Sequence, residues 1–244
     1  MPKLLELFSG THSIGKIAEQ RGYEVVSLDR DLPATIKIDI MKWDYKKDYP
    51  VGYFDIITAS PVCLWWSNLR KCWIGRKIKA HGDTIITKEI LEEDIENFGK
   101  PMVDKVREIL EYFKPKYYWI ENPQTGLMKN YITDLPFHDV DYCQYSDWGY
   151  KKKTRFWTNI KINPKTCDIK NCSNVEEGRH KKNLATVRVI DELGNKILVN
   201  TKALRLKHKK LLISSKNKTQ GTSKHDRYRI PPNLIEDLLD GCIM

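Results

Sequence analysis

Short apolar segments alternate with helix-like stretches through the first half of the chain, and this alternation constrains the fold more than any other feature. Ser13–Arg21 has apolar residues at helical spacing and ends at Gly22, and Lys88–Phe113 predicts a long helix that Pro101 interrupts. Strands that alternate with helices favour an α/β fold, with a mostly parallel sheet covered by helices on both faces. The predicted strands are Leu4–Phe8, Glu24–Leu28, Tyr53–Ala59 and Lys116–Ile120.

The alternation weakens after about residue 160, where lysines, asparagines and turn residues separate short β-like segments. We therefore expect a main domain over residues 1–160 and a small, basic, loop-rich subdomain over residues 161–226. Pro231–Leu239 predicts a short helix that begins at a Pro-Pro pair. Residues 227–244 are expected to return to the main domain.

The positive charge is concentrated in one third of the chain. The net charge is +10, and residues 151–230 hold 22 Lys and Arg against 6 Asp and Glu. Residues 1–150 hold 20 against 23. A block of this kind binds polyanions by releasing their counterions, so it favours nucleic acid over a merely solvated surface.

Three features argue against a membrane or secreted protein. No apolar run approaches the roughly 18 residues that a membrane-spanning helix needs. The first predicted strand follows Met1-Pro2 almost at once, which leaves no room for a secretory signal. The six cysteines are few and scattered, so we expect a reducing compartment.

Polar residues follow the first two predicted strands, at the sheet edge where α/β proteins bind ligands. Phe8 to Ser13 forms a Gly-containing turn before a helix, and such a turn can bring backbone N–H groups against a cofactor. Asp29 follows that turn by about 20 residues, the spacing at which an acid can hold a ribose diol. Asp39 could accept a hydrogen bond from an adenine amino group. An ordinary strand-to-helix turn is the alternative.

A cysteine and a glutamate follow the next two predicted strands. Cys63 lies just beyond a strand in Ser60-Pro61-Val62-Cys63, and Glu121 begins Glu121-Asn122-Pro123. A thiol and a carboxylate at adjacent strand ends suggest covalent catalysis with acid assistance. The alternatives are a buried thiol and a carboxylate that caps a turn.

Taken together, these residues resemble the cytosine carbon-5 DNA methyltransferase family, and most closely its compact phage and large-virus members. The resemblance covers about residues 3–160 and 227–239, and no single piece of it is specific. The residues that carry it, in order, are Phe8-x-Gly10, Asp29, Asp39, Pro61-Val62-Cys63, Ser67, Glu121-Asn122, Lys151-x-Lys153-x-Arg155 and Ile230-Pro231-Pro232-Asn233-Leu234.

The resemblance implies a Rossmann-like class I methyltransferase sheet in residues 1–160 and a reduced target-recognition subdomain in residues 161–226. It also implies that a flipped cytosine is attacked by Cys63, protonated by Glu121 and steadied by Lys153 and Arg155. S-adenosylmethionine is expected at Phe8, Ser9, Gly10, Thr11, Asp29, Asp39, Pro61 and Asn233.

Contacts to the nucleic acid are expected from a basic loop after Cys63 and from the positive block. DNA is the expected partner, as the resemblance implies. RNA is less favoured but stays an alternative, because a basic block alone does not distinguish the two polyanions. We further expect a monomer in the cytoplasm or the host-cell compartment that holds nucleic acid. The expected contact residues are Ser67, Arg70, Lys71, Lys151, Lys152, Lys207, Lys209 and Lys210.

Two departures from the family pattern keep other functions open. His12 stands where a glycine usually completes the cofactor turn, so it could crowd the cofactor or need a positive φ. Leu64 replaces a glutamine beside the nucleophile. A catalytically silent nucleic-acid-binding relative is therefore one alternative, and an RNA cytosine-5 methyltransferase is the other, because the basic block does not distinguish RNA from DNA.

The cysteines of the basic subdomain pose a separate question. Cys167-x4-Cys172-x7-His180 offers ligand types suited to zinc, and Cys143 could supply a fourth. The spacing is looser than that of a CxxC pair. Unremarkable thiols are therefore the favoured interpretation, with structural zinc as the alternative.

Overall fold

A six-stranded sheet forms the centre of the molecule. The computed structural model describes residues 1–183, 188–190, 196–198, 220–221 and 227–242. The strands run in the order β2-β1-β3-β4-β6-β5; β1 to β4 are parallel, and β6 is antiparallel to both of its neighbours. In chain order they are β1 Lys3–Leu7, β2 Glu24–Leu28, β3 Ile56–Ala59, β4 Tyr117–Pro123, β5 Phe137–Asp141 and β6 Lys153–Thr158.

The helices follow the predicted pattern, including the interruption near Pro101. A π-helical turn, Ile95–Gly99, separates two α-helices, and Pro101 lies in the first turn of the second. The α-helices are α1 Ser13–Gln20, α2 Tyr45–Asp48, α3 Lys88–Asp94, α4 Lys100–Phe113 and α5 Pro232–Asp240.

Helices cover both faces of the sheet. Leu4 and Leu5 are consecutive in β1 and both fully buried, because alternate side chains of a strand point to opposite faces. Leu5 belongs to the core under α4, which contributes Val103 and Val106. Leu4 belongs to the core under α1 and α5. The predicted α/β architecture is confirmed.

Beyond residue 160 the described segments form small two-stranded units. These are β7 Val175–Glu176 with β8 Arg179–His180, β9 Lys182–Asn183 with β12 Gln220–Gly221, and β10 Arg188–Ile190 with β11 Lys196–Leu198. The domain limits given above remain predictions. None of the helices in the described ranges has the length and apolar content needed to cross a bilayer.

Candidate active site

The loop that carries Cys63 is fastened to the turn after β4. The Asn122 side-chain amide donates to the carbonyl of Pro61 at 2.9 Å. The backbone N–H of Leu127 donates to the carbonyl of Trp66 at 2.8 Å. These bonds lie on both sides of Cys63, so they set its position relative to the end of β4.

The Cys63 thiol interacts with three charged side chains. Burial raises its pKa above the ordinary value, and the negative charge of Glu121 raises it further. Lys152 and Arg227 act in the opposite direction, because positive charge favours the thiolate. The structure therefore brings the predicted thiol and carboxylate within electrostatic reach of each other.

The Glu121 carboxylate is buried and paired. Its Oε1 accepts a hydrogen bond from the Tyr142 hydroxyl at 3.3 Å and lies 3.3 Å from the Lys152 ammonium. That ammonium also donates to the carbonyl of Arg227 at 3.2 Å and lies 4.7 Å from the centre of the Tyr142 ring. The residues just before α5 thus reach this end of the sheet.

Lys153 and Arg155 are not beside Glu121, which corrects the roles expected for them. In the β4–β6 register Glu121 pairs with Phe156 and Asn122 with Arg155, so the Arg155 side chain lies on the opposite face of the sheet. Arg155 forms two 2.7 Å bonds to Asp139. Lys153 shares that face and is exposed. Lys152 contacts Glu121 in their place.

The turn after β1 has an unusual backbone. Phe8, Gly10 and His12 all have φ between +53° and +57°. The N–H of Gly10 donates to Asp29 Oδ2 at 2.9 Å, which joins the end of β1 to the end of β2. Asp29 Oδ1 accepts the N–H groups of Asp31 and Leu32, both at 2.8 Å, so the backbone holds this carboxylate rigidly.

His12 does need a positive φ, and its side chain points to a buried acid. Its Nδ1 lies 2.6 Å from Oε2 of Glu6, which is 2% exposed within β1. Hydrogen bonding to Glu6 raises the pKa of His12 despite its partial burial. Glu6 also accepts the N–H groups of Ile14 and Gly15, each at 3.2 Å. The imidazole covers Gly15, where an added Cβ would lie 2.0 Å from the ring.

The polar groups around this turn suit a nucleoside-containing cofactor. Ser9 Oγ is buried and has no hydrogen-bond partner among the described residues. Asp39 accepts the N–H of Met41 through Oδ1 at 3.0 Å, and Thr11 shares a hydrogen bond with Ser13. The carboxylates of Asp29 and Asp39 can accept hydrogen bonds from ribose hydroxyls and an adenine amino group. The Ser9 hydroxyl can donate one.

The last expected cofactor residue is on another element. Asn233 is exposed in the first turn of α5, the helix that packs against α1. Its contact with the cofactor remains a prediction.

Arg70 is buried, which contradicts its expected contact with nucleic acid. Its side chain is 3% exposed and is paired with Asp94, which also lies 2.9 Å from His81. The guanidinium is 5.2 Å from the Trp65 ring centre and 5.4 Å from that of Trp73. Arg70 therefore holds the basic loop together.

The other expected nucleic-acid residues have different surroundings. Lys71 is exposed, whereas Ser67 accepts the N–H of Leu69 and begins a short 3₁₀ helix. Lys151 lies 3.2 Å from Asp141. The Lys207, Lys209 and Lys210 predictions fall outside the described residues.

The four candidate zinc ligands converge. One ligand atom from each lies within 4.8 Å of every other, and two of the residues are buried. This separate cluster comprises Cys143, Cys167, Cys172 and His180.

Three residues of the site were not predicted from the sequence: Glu6, Tyr142 and Arg227, whose charge acts on Cys63. The Tyr142 hydroxyl donates to Glu121, but Tyr142 lies in no sequence motif that would identify it as a site residue. Glu6 did carry a signal, because a charge inside an otherwise apolar strand requires a buried partner.

The chain is similar to a known viral protein and to solved structures. No protein-family model matches the chain. The chain is 39% identical over 243 residues to the probable DNA (cytosine-5)-methyltransferase of Frog virus 3 (isolate Goorha), covering 98% of this chain and 100% of the viral protein. The Entamoeba histolytica methyltransferase EhMeth aligns with a TM-score of 0.48 and 13% identity, covering 99% and 97% of the two chains. A Spodoptera frugiperda DNMT2 mutant aligns with a TM-score of 0.41 and 15% identity, covering 79% and 63%.

Proposed function

The chain belongs to the DNA (cytosine-5)-methyltransferase family, and from this premise we propose that it transfers a methyl group from S-adenosylmethionine to carbon 5 of cytosine in DNA. The observation that carries the proposal is the meeting of Cys63, Glu121 and Lys152 at the ends of neighbouring strands. A nucleophile, a buried acid and a cation are what addition to an aromatic ring requires.

The turn after β1 and the two aspartates would hold the cofactor. Asp29 and Asp39 would accept hydrogen bonds from its hydroxyl and amino groups, and the buried Ser9 hydroxyl would gain a partner. When bound, S-adenosylmethionine supplies an electrophilic methyl group to the activated ring.

Cys63 activates the ring by adding to it. Its thiolate sulfur bonds to carbon 6 of a flipped cytosine, which breaks the aromaticity and makes carbon 5 nucleophilic. After methylation, carbon 5 loses its proton to solvent and the Cys63 thiolate leaves, which restores the ring. Because burial and Glu121 raise the pKa of Cys63, the resting thiol is protonated at neutral pH, and it gives its proton to solvent before the thiolate adds.

Glu121, in its protonated form, gives a proton to nitrogen 3 of the ring while Cys63 adds, and takes the same proton back when the Cys63 thiolate leaves. Its carboxyl group is buried near the thiol, which positions it to exchange this proton with the ring. Lys152, bonded to Oε1 of Glu121, orients the carboxylate and offsets part of the negative charge next to the thiol.

Transfer of labelled methyl groups tests the proposal. The full chain is incubated with methyl-tritiated S-adenosylmethionine and with DNA or RNA of the same sequence, and the products are identified by mass spectrometry. We expect 5-methylcytosine in DNA. Label in RNA alone would support the RNA alternative. Binding of DNA without transfer by folded, cofactor-loaded protein would support the silent alternative.

The covalent step has its own test. DNA that carries 5-fluorocytosine has no proton to lose at carbon 5, so the adduct with Cys63 should persist on a denaturing gel. Cys63→Ala should form no adduct and transfer no methyl groups while still binding S-adenosylmethionine. The matched control is Cys72→Ala, since Cys72 is exposed on the neighbouring loop.

A further inference from the structure

Four soft ligands converge beside the sheet, away from Cys63. The sulfurs of Cys143, Cys167 and Cys172 and a ring nitrogen of His180 all lie within 4.8 Å of one another. They come from separate segments. Cys143 lies in the 3₁₀ turn after β5, Cys167 and Cys172 lie in the loop between β6 and β7, and His180 lies in β8.

The distances match those around a single tetrahedral ion. His180 Nε2 lies 3.5 Å from the Cys167 sulfur and 3.8 Å from the Cys172 sulfur. A tetrahedral zinc ion with Zn–S of about 2.3 Å and Zn–N of about 2.0 Å separates sulfur from nitrogen by roughly 3.5 Å. The side chains therefore need little movement to bind an ion through Nε2.

Surrounding hydrogen bonds hold the cluster in place. The side-chain amide of Gln144 donates to the Cys172 sulfur at 3.4 Å, and the Cys167 N–H donates to Asp141 at 2.7 Å. Asn174, 2% exposed, donates to the carbonyl of Cys143 at 2.8 Å. Such outer contacts orient metal ligands and tune the charge on their sulfurs.

The segment that carries three of the ligands has almost no core of its own. Between residues 163 and 182 only Cys172 and Asn174 are buried. A segment without an apolar core needs another source of stability, and a structural metal commonly supplies it. Because Cys143 lies next to β5, an ion here would join that segment to the main sheet.

We propose that Cys143, Cys167, Cys172 and His180 bind one structural zinc ion, which fastens residues 166–180 to the end of β5. Three thiolates and one imidazole form a closed set that zinc favours and that leaves no position for substrate. On binding, the three thiol protons pass to solvent and His180 remains neutral. The site is independent of the proposed methyl transfer.

Metal analysis of the full chain tests the site. Protein made in zinc-supplemented medium and purified without chelators should contain about one zinc per chain by elemental analysis. Cys172→Ser should reduce this at least fivefold, whereas Cys72→Ser, at an exposed cysteine outside the cluster, should not. Equal loss from both variants, or no zinc in wild-type protein reduced and reconstituted with zinc chloride, would overturn the proposal.

Cobalt keeps the test decisive if the Cys172 variant does not fold. Wild-type protein titrated with Co²⁺ should develop strong visible bands of tetrahedral cobalt with thiolate charge transfer, which saturate at one equivalent and disappear on adding zinc. Weak octahedral bands, or a Cys167–Cys172 disulfide detected by mass spectrometry in protein purified under reducing conditions, would show that these residues do not form the zinc site.

Discussion

The ammonium of Lys152 lies 3.3 Å from Oε1 of Glu121, the same carboxylate whose charge raises the pKa of Cys63. One lysine therefore acts on both chemical groups of the candidate site. It stabilises the carboxylate directly, and it favours the Cys63 thiolate through space. Its neighbour Lys153 is exposed on the other face of the sheet, which makes the pair a matched comparison.

Lys152→Met should slow methyl transfer at least tenfold and raise the pKa of Cys63. Removing the cation leaves a buried carboxylate next to the thiol, and its negative charge, no longer offset by Lys152, disfavours the thiolate. The rate of iodoacetamide alkylation of Cys63 measured against pH reports the shift. Lys153→Met should change neither quantity. Equal effects from both substitutions would contradict a specific role for Lys152.

Glu121→Gln should have opposite effects on the two measurements. Methyl transfer should fall by about 10²–10⁴, the usual contribution of a positioned general acid. The pKa of Cys63 should fall, because Glu121 raises it. Alkylation of Cys63 at neutral pH should therefore become faster while catalysis is lost. Slower alkylation of a folded variant would show that Glu121 does not destabilise the thiolate.

The pair of His12 and Glu6 should make stability depend on pH. The pKa of His12 is raised in the folded protein, so its stabilising contribution is complete below the unfolded value of 6.5 and is lost as pH rises through the folded value. The difference in unfolding free energy between wild type and His12→Gln should shrink from pH 6 towards pH 9, by urea denaturation. In a Glu6→Gln background the same substitution should show a much weaker trend, because only Glu19, 3.3 Å from Nε2 of His12, still raises the pKa.

Substitutions at Arg70 and Lys71 should have different effects: the first on the stability of the fold, the second on nucleic-acid binding. Arg70→Met leaves Asp94 buried without its main partner and should cost about 3 kcal/mol of unfolding free energy. Lys71→Met, at an exposed residue, should change stability by less than about 0.5 kcal/mol. It should weaken DNA binding at low salt. A stable Arg70→Met protein with impaired DNA binding would restore the contact first expected for Arg70.

The lysines at 207, 209 and 210 should contribute affinity without sequence preference. If about five residues of the basic block neutralise phosphates, log affinity should fall against log salt with a slope near −4 to −5 on duplex DNA. Replacing all three with alanine should weaken binding to every sequence and flatten the slope. Lost preference for one sequence at an unchanged slope would instead mean that they read bases.

The sequence by itself determined the four parallel strands of the main sheet and its functional edge, whereas β5 and β6 were not predicted from it. Local periodicity identified Glu24–Leu28 and the helix interrupted near Pro101, because strands and helices each repeat over a few residues. It also indicated that Cys63 and Glu121 follow consecutive strands. Parallel strands bring their carboxyl ends to one edge, so both residues were expected at the same edge, while the adjacency of β3 and β4 came from the structure.

Only the tertiary structure decided which side chains meet. Whether Lys152 or Lys153 contacts Glu121 depends on the β4–β6 register, and a shift of one residue would exchange their faces. The burial of Arg70 and the meeting of Cys143 with His180 likewise join segments that are distant in the chain. The sequence marked Cys143 and His180 as candidate ligands of one ion by their residue types, but local patterns report the period of a backbone and not the packing of separate segments. Only the fold showed that these side chains meet and that Arg70 is buried.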